Sequence, residues 1–473
     1  MRAAVEAREA GLRVAIICKS LFGKAHTVMA EGGAAASMGN VNDNDNWMVH
    51  FRDTMRGGKF LSHFRMAELH AKEAPDRIWE LETWGALFDR TKEGKISQRN
   101  FGGHEYPRLA HVGDRTGLEL IRTMQQKIVQ LQQKDGRETG DMESGIKVFA
   151  ELTITDILKE NGKATGVQTE FGEIKSEVVV NCGGMWAREV GKMAGVSVPL
   201  HACEHFYFLT SAVPGLGDMP VVRVPDESAY YKEDAGKILV GLFEPNAKPW
   251  AQNGIPDDFC FDQIQDDLDH CMPYLELAMN RVPVMESLGI ETLFNGPESF
   301  TPDDNFQIGE SPELGNFYVA AGFNSIGIQA AGGAGKYLAE WIIAKEPPCD
   351  LWDVDIRRNQ SFQSNKTYLA NRVTETLGYL YENHFPYHQY ETARGLRKTP
   401  LYEFFKERGA CFGEVAGWER PNWFVPKDLI GKVEAKYEYS WGRQNWFDFH
   451  RLEQQAIRET VGMYEMSSYA KIR

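Results

Sequence analysis

The chain has 473 residues, 42% of them apolar, and a formal net charge of −15. That length leaves room for two or three domains with ordinary cores. The acidic balance argues against nucleic acid or an anionic membrane surface as the main partner, and no apolar run approaches the ~18 residues that span a bilayer.

From Ala3 onward, small residues at positions 3, 4, 7 and 10 share a helix face that can approach a sheet closely. Gly11 stops that helix, and Val14-Ala15-Ile16-Ile17-Cys18 reads as a strand. This is the helix and following strand of a dinucleotide-binding unit, met without the strand and G-x-G-x-x-G turn that should precede them. Gly32-Gly33, followed by three alanines, leaves room for a backbone to pass close to a flat or charged ligand. His26 and Thr27 stand just before it. His26 is a candidate nucleophilic imidazole, although such a residue taken alone is far more often an ordinary loop histidine.

Further along, Ile146–Phe149, with Val148 a candidate cofactor contact, and Leu152–Leu158 read as strands. Asn161-Gly162 and Phe171-Gly172 are turn signals. A buried strand from Glu177 ends in Gly183-Gly184, where parallel-sheet folds hold a ligand; a plain tight turn is the alternative. The stretch 199–290 is rich in strand signals, with His205, Tyr207, Tyr230 and Tyr231 on them. The strand Phe317–Ala321 then leads through Gly322, Asn324, Ser325, Ile326, Gly327 and Ile328 into a helix over 336–343. Amides exposed at a helix start suit a flavin pyrimidine, whose N1/C2=O edge gains negative charge on reduction. The alternative is a Gly/Ala helix packed closely on a sheet.

Cys18, Cys182, Cys203, Cys260, Cys271, Cys349 and Cys411 are scattered with no C-x-x-C pair, a pattern of reduced thiols. No disulfide framework, structural metal or iron–sulfur cluster is expected. Met1-Arg2 leads into an Ala/Glu helix without a targeting pattern, so the expected location is the cytoplasm, or the mitochondrial matrix in a eukaryote.

Two resemblances carry the functional reading. Ser20–Gly33, Asp45–His63, His70–Pro75 and Tyr106–Gly117 closely resemble the flavoprotein subunit of the succinate dehydrogenase and fumarate reductase family, over about residues 1–150. In that family the histidine matching His26 carries a covalent bond to the FAD 8α-methyl, and the segment matching Asp114–Gly117 lies close to the flavin. From about residue 165 to 473 the chain instead resembles the dimethylglycine and sarcosine dehydrogenase family. Val180–Arg188, Pro199–Tyr207, Gly241–Trp250, Asn295–Asp303 and Ala320–Ile328 carry that likeness. The switch, near 150–165, falls inside a domain, which reads as a chimera of two related flavin scaffolds, truncated at both ends.

The resemblances imply an α/β fold with a Rossmann-like FAD-binding domain of the glutathione-reductase type, lacking its first strand and Gly-rich turn. A strand-rich substrate domain is inserted in it, and a partial aminomethyltransferase-like domain ends the chain. The expected division is 1–198 and 291–345 for FAD, 199–290 for substrate, 346–399 for a linking domain, and 400–473 for the folate-binding type. The implied cofactor is FAD, covalent through His26. Tetrahydrofolate would belong to the last domain, of which only the opening is present. The aromatic-rich segment 418–450 is expected to leave apolar surface exposed.

The implied reaction is oxidation of an N-methyl amino acid by hydride transfer to flavin N5. It needs a neutral amine and an anchored carboxylate, and an apolar pocket lowers the amine pKa by desolvation. The resemblance places His205 and Tyr231 against the substrate, with Arg223 a candidate carboxylate partner. As bare residues, a lone histidine and strand tyrosines are more often core or surface. A small-molecule amine and an electron acceptor such as an electron-transfer flavoprotein are the expected partners. The alternatives are a succinate or fumarate flavoprotein, which requires a dicarboxylate arginine not found here and an iron–sulfur partner subunit, and a non-catalytic flavoprotein-like regulatory protein or inactive fragment.

Overall fold

The computed structural model describes residues 1–470 except Ala25, 141–144, Asp218 and Phe261; the side chains of His26 and Met29 also lie outside the described set. Helix α1 (Arg2–Glu9) leads through Gly11, at φ 92°, into β1 (Val14–Ile17). A small antiparallel sheet joins β2 (Ala34–Ala35), β3 (Gln98–Arg99) and β4 (Leu109–Ala110). Between its strands lie α2 (Trp47–Gly57), capped by the Asn46 side chain, and α3 (Phe64–Thr83). Then come α4 (Thr116–Thr139), β5 (Ile146–Phe149), and an antiparallel meander of β6 (Ile154–Glu160), β7 (Lys163–Thr169) and β8 (Gly172–Lys175).

The strand read from Glu177 is β9 (Val179–Asn181), and α5 (Ala187–Ala194) follows its glycine turn. The dinucleotide sheet lies in two pieces. β1 pairs in parallel with β5, Val14 opposite Ile146. β9 pairs in parallel with β16 (Phe317–Ala321), which is antiparallel to β15 (Gln307–Glu310). Among the described residues no strand joins β1 to β9.

Two sequence expectations change here. The helix expected over 336–343 is α7 (Gly327–Ala344), so the Gly/Ala run is helical and not a loop. The small face of α1 packs on that helix: a Cβ added at Gly335 would lie 2.8 Å from both the Ala3 nitrogen and the Arg2 Cβ. Glycine inside a helix costs about 1 kcal/mol relative to alanine, and close packing of this kind offsets it.

The substrate sheet is five-stranded, in the order β11 (Val222–Val224), β12 (Ala229–Asp234), β13 (Lys237–Leu242), β10 (His201–Thr210), β14 (Ile290–Phe300). One face is covered by α6 (Leu268–Arg281), a helix the strand-rich reading does not anticipate. Phe206, Phe208, Tyr231 and Val240 pack there with Cys271 and Leu275. Each such side chain contributes roughly 1.5–3 kcal/mol through burial. The opposite face carries the site.

After α8 (Lys366–Tyr379), a terminal module contains β17 (Arg397–Lys398), α9 (Tyr402–Glu407), β18 (Ala410–Val415), β19 (Trp418–Phe424) and α10 (Phe447–Glu459). Arg394 pairs with the buried Glu419 at 2.6 Å, and Arg372 with Glu414 at 3.3 Å. Trp441, Phe447 and Leu452 are exposed, as the aromatic content anticipates.

Candidate active site

Side chains alternate along a strand, so the two faces of this sheet are chemically separate. On β10, Phe206 and Phe208 enter the core while His205 and Tyr207 point the other way. Register extends this polar face across the sheet. Gly241 lies opposite both Tyr207 and Tyr230, Arg223 lies opposite Tyr230, and Gly296 lies opposite His205. Phe243 and Glu298, two residues beyond Gly241 and Gly296, continue the face.

The expected Tyr231 falls out of phase. It is fully buried in the core beneath α6, and its hydroxyl has no partner among the described residues. Tyr230 takes its place on the polar face, across Gly241 from Tyr207. A Cβ at Gly241 would lie 2.0 Å from the Tyr230 ring, so this glycine makes room for it.

His205 is held from behind. Its Nδ1 lies 3.1 Å from Glu244 Oε2, while Glu244 Oε1 accepts the Phe206 N–H at 3.2 Å. On the other side, His205 Nε2 is 4.0 Å from Glu298 Oε2, which also accepts the Ser325 hydroxyl at 2.6 Å. Burial pulls the imidazolium pKa down, but the Glu244 charge and hydrogen bond, with the Glu298 charge, carry it up to about 9. His205 is therefore a cation at neutral pH.

Aromatic rings wall the face. Phe243 lies 3.8 Å from Tyr381, 5.5 Å from Tyr230 and 6.2 Å from His205 between ring centroids. Tyr207 stacks on Phe294 at 4.8 Å. Burial pushes the Tyr230 and Tyr381 phenols up, the latter to about 12, so both stay neutral. The Arg223 guanidinium rests over Phe243 and Tyr381 at 5.1 and 4.8 Å. A Glu31–Lys232 ion pair at 2.8 Å ties the loop before Gly32 to β12.

The segment opening α7 approaches from the dinucleotide side. Gly322 sits at φ 69°, and Asn324 and Ser325 follow at 46° and 60°. Two non-glycine residues in the left-handed region store roughly 1–3 kcal/mol each, a cost that concentrates at functional segments. Asn324 Oδ1 accepts the Thr301 N–H at 2.8 Å and fixes the turn. The Ile326 amide bonds back to Phe323, whereas Gly327 and Ile328 have no acceptor recorded among the described residues. Those are the donors that a flavin pyrimidine edge would take. Gly32, Gly184, Gly332 and Gly333 have open space where a side chain would stand. The residues present therefore fit FAD.

The remaining expected cofactor residues divide. The Thr27 carbonyl would lie 1.8 Å from a Cβ at Gly117, and the Gly117 amide donates to Ala30, so the Asp114–Gly117 segment does abut the His26 loop. Gly33, at φ 115°, is closed to a side chain by the Ala110 carbonyl at 2.6 Å. Gly183 serves the close approach of Ala187, and Val148 packs in the core with Val5, Ile128 and Ile146. His26 opens a short 3-10 helix to Met29, and its side chain lies outside the described residues. The sequence reading missed Glu244, Glu298, Phe243 and Tyr381. The phase of the strand pattern, followed from His205 through Gly241 to Phe243, was the signal available for the third of these.

Comparison with known proteins bears on the fold that carries this site. An FAD binding domain model matches residues 1–207, and an FAD dependent oxidoreductase model matches 142–341. The FAD dependent oxidoreductase central domain matches 346–399, and the GCVT N-terminal domain matches 401–473. This chain has the fold of the FAD-dependent oxidoreductases. The oxidoreductase 4-methylaminobutanoate oxidase (formaldehyde-forming) of Paenarthrobacter nicotinovorans is 40% identical over 69% of this chain and 39% of its own length. For the mitochondrial pyruvate dehydrogenase phosphatase regulatory subunit of Mus musculus the figures are 37%, 70% and 38%. For mitochondrial sarcosine dehydrogenase of Mus musculus they are 38%, 61% and 31%. The chain thus spans between 31% and 39% of the length of these relatives. Among the described residues no helix is long and apolar enough to cross a membrane.

Proposed function

We propose that this chain carries the flavin and substrate sites of an FAD-dependent oxidoreductase acting on N-methyl amino acids. The observation that carries the reading is one strand face that gathers His205, Tyr207, Tyr230, Phe243 and Arg223 beside the Ser325 turn. FAD, when bound, supplies the hydride acceptor. The chain's residues do the rest. Arg223 holds the substrate carboxylate, the aromatic rings exclude water around the N-methyl group, and Glu244 fixes the His205 ring at the site's edge. Hydride can leave only the neutral amine, so an amine bound as its cation must give up its N–H proton first.

Covalent attachment through His26 and an electron-transfer flavoprotein as acceptor belong to the same proposal, whereas tetrahydrofolate, whose domain is present only in its opening, is left out of it. The five-part domain division, the chimeric origin, and a cytoplasmic or matrix location also belong to the proposal. A second reading, a non-catalytic regulatory flavoprotein, draws support from the phosphatase regulatory subunit among the relatives.

One anaerobic titration separates these readings. Dimethylglycine or sarcosine should bleach the visible flavin band of the purified protein, and succinate should leave it unchanged. Bleaching by succinate alone would restore the succinate dehydrogenase reading; bound flavin that neither substrate bleaches would favour the regulatory one. Flavin staying with the acid-precipitated protein would mark a covalent link, and flavin released to the supernatant would exclude it.

A further inference from the structure

Charges on the polar face of the substrate sheet mostly pair off; besides Asp234, which has no ion pair among the described residues, two exceptions border the aromatic wall. Glu31 is matched by Lys232 at 2.8 Å, and His205 by Glu244 at 3.1 Å. Glu244 is fully buried, with both carboxylate oxygens engaged, and is closed to a ligand. Glu298 differs. Its side chain is 15% exposed, and its contacts with Ser325 and His205 both fall on Oε2. Oε1 has no recorded partner among the described residues. The other exception is Arg223, which has no carboxylate partner among them and rests only on the rings of Phe243 and Tyr381. Glu298 reaches the same wall through Ser325, whose hydroxyl it accepts and which also hydrogen-bonds Tyr381.

A free carboxylate oxygen and a free guanidinium bordering one aromatic wall are the complement of a zwitterion. We propose that Glu298 receives the ammonium group of the substrate through Oε1 while Arg223 receives its carboxylate, so that the site selects amino acids that bind as N-methylated cations. This inference rests on the amine-oxidoreductase reading above and names the residue that sets its selectivity.

The chemistry on the page is consistent throughout. A tertiary ammonium keeps one N–H, enough for one charge-assisted hydrogen bond to Oε1. Its methyl groups spread the remaining charge, which the faces of Tyr207, Tyr230, Phe243 and Tyr381 attract. Ser325 fixes Oε2, leaving the other oxygen aimed by default. His205, already balanced by Glu244, adds no unpaired positive charge against the ammonium. A dicarboxylate such as succinate would bring a second negative charge against Glu298, and like charges in a partly dehydrated site repel. The same residue thus admits an amine and rejects a diacid.

The test compares two ligands of nearly one shape, N,N-dimethylglycine and (methylthio)acetate, which has neutral sulfur in place of the charged nitrogen. Both are titrated against the full chain with its flavin reduced by dithionite, so that no turnover follows, and tryptophan fluorescence reports Kd. Wild type should bind dimethylglycine at least ~10-fold more tightly than the thioether. Glu298→Gln, which still accepts from Ser325, should abolish that preference by weakening dimethylglycine alone. Glu298→Asp should restore part of it, and Arg223→Gln should weaken both ligands. An unchanged preference in Glu298→Gln, or equal weakening of both ligands, would overturn the inference while leaving the amine reading in place. A wild-type protein that binds neither ligand would overturn that reading and the inference with it.

Discussion

Gly241 decides which tyrosine serves the site. With no side chain of its own, it lets the Tyr230 ring lie across β13, and a methyl group there would sit 2.0 Å from that ring. Gly241→Ala should displace Tyr230 and weaken dimethylglycine binding by ~10-fold or more, since loss of one cage ring is worth about 1 kcal/mol or more. Tyr231→Phe removes a buried hydroxyl that has no partner among the described residues, so it should leave affinity within about twofold and melting temperature unchanged or raised. His205 supplies a pH signature. Its pKa is raised from 6.5 to about 9, so its contribution to stability is complete below about pH 6.5 and disappears as pH rises through about 9. Thermal melting should fall across that window in wild type, and Glu244→Gln should flatten the fall.

Helices and strands show where the sequence was legible and where it was not. Strands carrying His205 and Tyr230 follow from β-branched and aromatic runs, and the glycine turns after β9 and β16 mark the flavin side. The phase of Tyr230 against Tyr231 does not follow from a Tyr-Tyr pair alone, because a one-residue shift exchanges the faces and only cross-strand register fixes it. Helix α7 begins nine residues earlier than propensity indicates, at Gly327 and not 336, because contact with α1 holds a glycine-rich turn helical. Glu244 lies just past the end of β13, and only the fold brings it behind His205. At this scale α8 braces the site. A Cβ at Gly378 would lie 2.4 Å from the Pro245 Cα and 3.0 Å from the Glu244 carbonyl. Gly378→Ala should therefore cost about 1–3 kcal/mol through overpacking. It should also weaken dimethylglycine binding through Glu244, a pairing of effects that melting and titration would show together.

At the scale of the molecule, the two-piece dinucleotide sheet has a consequence for how the protein breathes. Val14 and Cys18 donate their amides toward β5, and Val179 donates toward the residue before β16. Alternation along each strand turns the Ala15, Ile17 and Val180 amides to the opposite edges, where no strand meets them among the described residues. In most domains the central strands release their amide hydrogens last, because only global opening exposes them. Here the order should invert. In deuterated buffer Ala15, Ile17 and Val180 should exchange well before the amides of β10 and β13, and slow exchange at these three would mean that something covers those edges in solution. The cofactor side would then take up label before the substrate side, which would be the last refuge of protium.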